Sequence, residues 1–103
     1  MKIIKKLSKY IEEEINDAEK YARCAAEQKE ERPELARLFL QLANGELEHM
    51  QLLHGAVTSL IEEERRTNGE PPAGMMEAYD LIHEWQMDHV ARVKTVIQMA
   101  REG

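Results

Sequence analysis

Apolar residues recur at helical spacing through almost the whole chain, in three long runs separated by two short interruptions. The first run carries Ile3, Leu7, Tyr10, Ile11, Ala18, Tyr21 and Ala25 and predicts a helix over about 3–29. Glu30-Glu31-Arg32-Pro33 breaks the pattern, and Pro33 suits the first turn of a new helix, where its missing N–H costs nothing. The second run is Leu35, Phe39, Leu42, Ala43, Met50, Leu53, Val57, Leu60 and Ile61. It predicts a helix over about 33–67, stopped by Asn68-Gly69 and then by Pro71-Pro72. The third run, Met75, Tyr79, Ile82, Trp85, Val93, Val96, Ile97 and Ala100, predicts a helix over about 73–101. Short links make neighbouring helices antiparallel, so the expectation is all-α: one domain over 1–103, with three helices running up, down and up. The middle helix has a second apolar edge (Leu40, Leu47, Val57 and Ile61), which is expected to face another copy of the chain.

Each run is interrupted by polar residues inside its own apolar arc. On a wheel at about 100° per residue, Glu46 falls within the arc of the second helix, flanked by Leu42, Ala43, Met50 and Leu53, with His49 in the same arc. On the first helix Glu14 aligns with Leu7, Tyr21 and Ala25, and Asp17 sits at the arc's edge. On the third, His89 aligns with Ile82, Val93 and Val96, with Gln86 close by. Counting from the turn at 30–33, Glu14 and His49 share a height, as do Asp17 and Glu46, and His89 falls within about one turn of His49. A buried carboxylate is costly without a positive partner, and Lys20, Arg37 and Arg92 lie off the stripes. Glu and His three residues apart on a helix point into the same space, so a metal ion is the simplest partner. Fe(II) suits such ligands, as do Mn(II) and Zn(II).

Composition narrows the partners. The 103 residues carry a formal net charge of −6, which disfavours a nucleic-acid partner. Cys24 is alone, which excludes an internal disulfide and any Cys-x-x-Cys metal site. With no leader-like apolar core after Met1 and no membrane-length apolar stretch, a reducing, cytoplasmic setting is expected. Lys2, Lys5, Lys6 and Lys9 read as a solvated helix start rather than a membrane-binding face.

The stretch Glu14-Ile15-Asn16-Asp17-Ala18-Glu19-Lys20-Tyr21, followed by Glu46-Leu47-Glu48-His49, resembles the ferritin-like superfamily and its rubrerythrin branch most of all. The resemblance covers roughly residues 3–60. It implies a four-helix bundle around a carboxylate-bridged di-iron centre, with Glu14, Glu46 and His49 as iron ligands and Tyr21 beside them. It also implies ferroxidase or peroxidase chemistry with O2 or peroxide as oxidant. The chain departs from that pattern: it has three helices, and Gln86 and His89 stand where a second Glu-x-x-His would be. Two completions are open. A homodimer or higher homo-oligomer could pair two copies of the first helix pair, or His89 could complete a site within one chain. The dimer is the expectation, with Gln86 as a hydrogen-bond partner of a ligand and Asp17 near the site without binding metal. A metal-binding module without turnover, and a helical interaction protein with a polar core layer, are the alternatives.

Overall fold

The computed structural model describes residues 2–102. Three helices follow one another: α1 (Lys2–Gln28), α2 (Pro33–Asn68) and α3 (Ala73–Arg101). They lie side by side in a rod of 56 × 18 × 17 Å. Among the described residues there is no strand, and no helix is long and apolar enough to cross a membrane.

The turns form where local chemistry dictates. Pro33 occupies the first turn of α2. Gly69 closes α2 at φ 80°, a left-handed conformation that glycine adopts without Cβ strain, and its N–H donates to the Arg65 carbonyl at 3.0 Å. Lys29 reaches across the far end of the rod, and its Nζ donates to the Met99 and Glu102 carbonyls at 3.1 and 2.8 Å. That places a cation where the α3 backbone leaves unpaired carbonyls and the negative end of the helix dipole.

The buried stripes step by three and four residues on α1 and α3, and by three, four or their sum of seven on α2. They are Ile11, Ile15, Ala18, Ala22 and Ala25 on α1; Ala36, Ala43, Leu47, Met50, Val57 and Ile61 on α2; and Gln86, Val90, Val93, Ile97 and Ala100 on α3. This spacing keeps one seam facing its neighbour along the rod, and the alanines of α1 let the helix axes approach closely. Helix α1 is the shared element: α2 and α3 both pack along it, while α2 and α3 touch each other only sparingly.

This core corrects two expectations. Leu47, Val57 and Ile61, read as an edge for another copy, are buried within the chain, and Leu40 packs against the same core. Conversely Leu42, expected inward, is exposed, and so are Met75, Ile82 and Trp85 of α3. The apolar arcs are wider than one neighbour can cover, and the alanine-lined seam with α1 selects which part is buried. His54 and His83 are half-buried. They stack at 4.5 Å between α2 and α3, with Tyr79 6.1 Å from His83. Burial and the His83 charge hold the His54 imidazole below its usual pKa.

Candidate metal centre

Glu14 on α1 and Glu46 and His49 on α2 converge midway along the first helix pair. Their ligand atoms all lie within 4.8 Å of one another, close enough for one cation to contact all three. His49 Nδ1 lies 3.4 Å from Glu14 Oε2 and 4.0 Å from Glu46 Oε2. The carboxylates are largely sheltered, with side chains 26% and 20% exposed, whereas His49 is 60% exposed. The trio therefore has a protected floor and an open side.

Electrostatics at this cluster point to a missing positive charge. Glu14 Oε2 is buried without a hydrogen-bond partner. Among the described residues no lysine or arginine forms a salt bridge with Glu14 or Glu46. The Glu46 carboxyl is pushed up to about 7. A proton shared with Glu14 is the main cause, followed by burial and the repulsion of the Glu14 charge. A proton held between two sheltered carboxyls is the protein's own substitute for a cation, and a divalent ion can displace it. Two carboxylates and an imidazole fit Fe(II), Mn(II) or Zn(II).

The raised Glu46 value has a consequence for stability without metal. The folded state keeps a proton that the unfolded chain releases above about 4.5, the ordinary value. The stabilisation is full below that pH and is lost as pH rises through about 7. Metal-free protein is expected to lose up to about 3 kcal/mol of unfolding free energy from this pair between pH 4.5 and 8. Glu46→Gln should flatten that slope in urea unfolding. An unchanged slope would contradict the shared proton.

The remaining residues of interest lie elsewhere. His89 does not join the trio: its Nε2 sits 3.2 Å from Glu19 Oε1, and Glu19 Oε2 also accepts from Arg23 at 3.1 Å. The His89 hydrogen bond is the main reason the Glu19 carboxyl lies below its usual pKa. Glu19 is five residues beyond Glu14, about 140° around α1, so α3 meets the side of α1 turned away from the cluster. His89 thus meets α1 about 7.5 Å further along the helix than Glu14 and on another side of it. Gln86 is buried, yet its Nε2 donates to the Ser8 carbonyl at 3.0 Å rather than to Glu14, Glu46 or His49. Asp17 pairs with Lys20 at 3.7 Å and reaches Glu46 only through its charge. Tyr21 stacks on Phe39 at 6.2 Å, bracing α1 against α2. The Glu19–His89 pair was missed in the sequence. The sequence pattern puts His89 on the α3 arc and does not single out Glu19, so nothing in it joins them.

Residues 5–99 match the family model for rubrerythrin. The chain belongs to the rubrerythrin family. No curated protein and no solved structure matches it. The family match extends through α3, well beyond the helix pair that carries the carboxylate motif.

Proposed function

We propose that this rubrerythrin-family chain is a ferritin-like iron-binding protein whose Glu14, Glu46 and His49 form half of a di-iron centre, completed by a second copy. The observation that carries the metal reading is the orphaned Glu14 Oε2 beside a Glu46 carboxyl that holds its proton to about 7. The observation behind the second copy is an uncovered apolar face around the cluster. Leu42 and Leu38 stand four and eight residues before Glu46 and are 38% and 49% exposed. Tyr10, four residues before Glu14, is 38% exposed. At that spacing they share a face with the two carboxylates.

An iron pair bound there would supply one-electron redox chemistry toward O2 or peroxide. This chain's residues would hold and orient the metals. Glu14 and Glu46 would provide the anionic oxygens, His49 a neutral imidazole from the open side, and Leu38, Leu42 and Tyr10 a cover that excludes water once a partner is seated. Among the described residues no lysine or arginine forms a salt bridge with the two carboxylates, which disfavours a purely structural polar layer. Stopped-flow absorbance after mixing ferrous-loaded protein with O2 or peroxide tests the redox role. Oxidation faster than that of free ferrous iron is expected; an unchanged rate would leave a binding module without turnover.

A further inference from the structure

At the end of the rod holding the α2–α3 turn, the first third of α1 and the first half of α3 do not close on each other. With Ile61 and Glu64 of α2 they line a half-open cavity of about 640 Å³. Its floor is apolar, built by Ile4, Ile61, Met76, Tyr79 and Ile82. The α3 stripe becomes buried only from Gln86 onward, and the Gln86 hydrogen bond to the Ser8 carbonyl marks the inner end of the cavity. Lys2, Lys5 and Lys9 line its rim, and among the described residues none has a salt-bridge partner. Glu12 and Glu64 also border it, and Glu64 accepts a hydrogen bond from Asn68 at 3.0 Å. The rim thus carries a small excess of positive charge over an apolar floor.

We propose that this cavity binds a long-chain carboxylate, with its tail along the apolar floor and its head group among Lys2, Lys5 and Lys9. The volume lies in the range of small-molecule sites, roughly 300–1,000 Å³. Three lysines set against two carboxylates suit a single negative charge better than a dianion. Lys5 and Lys9 stand roughly 140–180° around α1 from Glu14, so a copy seated on the metal-bearing face leaves the cavity open. The site is therefore independent of the metal centre.

Calorimetric titration of the full chain with dodecanoate, below its aggregation concentration, tests the proposal. Saturable binding at about one ligand per chain is expected, weakened at least about a hundredfold for octanoate, which lacks four methylenes. Lys5→Glu with Lys9→Glu should weaken dodecanoate at least about tenfold with helix content unchanged. Ile82→Asp, at an already exposed position, should abolish binding. Absence of saturable binding would overturn the proposal, as would equal affinity for dodecyltrimethylammonium. So would indifference to the lysine reversals, or association only with anionic phospholipid vesicles, which would mark a membrane surface instead.

Discussion

Glu46→Ala is expected to abolish tight ferrous binding while leaving the fold intact. Glu46 is one of two sheltered carboxylates in the trio, and its removal from both copies leaves two Glu14 and two His49 for two irons, too few ligands to retain the pair. Loss of even an outer hydrogen-bond partner of a metal ligand costs 10–100-fold in affinity, so loss of a ligand should cost at least about a hundredfold. The same change relieves the repulsion between Glu14 and Glu46, so metal-free variant should be at least as stable as wild type at pH 8. That pairing separates a ligand from a structural residue: anaerobic ferrous titration fails while urea unfolding holds. A variant that unfolds at pH 8, or still binds ferrous iron tightly, would remove Glu46 from the centre. Wild-type affinity should rise with pH through about 7 as the metal displaces the shared proton.

Leu42→Arg is expected to convert a dimer into a monomer and to take the metal centre with it. Leu42 is exposed in the single chain and lies one helical turn from Glu46, so the substitution does not touch the chain's own core. In a two-fold interface every substitution occurs twice, and each arginine would wedge the apolar seam apart, its nearest partners being the Glu46 and Glu14 carboxylates that the metal needs. Burying two charged side chains in place of two leucines costs several kcal/mol even when they are paired, which weakens association at least about a hundredfold. Light scattering should show the mass halved with helical circular dichroism unchanged, and iron affinity should fall at least about tenfold. A variant that remains dimeric would move the interface away from this face. Leu47→Arg makes the contrasting control, because Leu47 is 7% exposed and its replacement should unfold the chain rather than split a dimer.

The difference between Leu42 and Leu47 also marks how far the amino-acid sequence can be read. Helix limits were legible because Pro33, Gly69 and the Pro71-Pro72 pair punctuate the chain by rules local to each position. The meeting of Glu14 with His49 was legible because two antiparallel helices joined by a short turn have only one height register to satisfy. What was not legible was azimuth. On the 36-residue α2, apolar residues cover more than one face, and nothing local says whether Leu42 or Leu47 turns toward α1. His89 is displaced in both respects: it addresses Glu19, about 7.5 Å further along α1 than Glu14 and on another side of the helix. Gln86, expected to bond a metal ligand, instead bonds the Ser8 carbonyl, and Lys2, Lys5 and Lys9, read as a solvated helix start, line the opening between α1 and α3. The family match adds weight to iron, while the charge imbalance at Glu14 and Glu46 stands on its own.

The central claim is that Glu14, Glu46 and His49 are half of a metal centre shared between two copies. Anaerobic ferrous titration of the wild-type chain, with mass followed by light scattering at each addition, tests it most directly. The account predicts a dimer that saturates at about one iron per chain. A chain that takes up no iron, or one that binds it fully as a monomer, would contradict it.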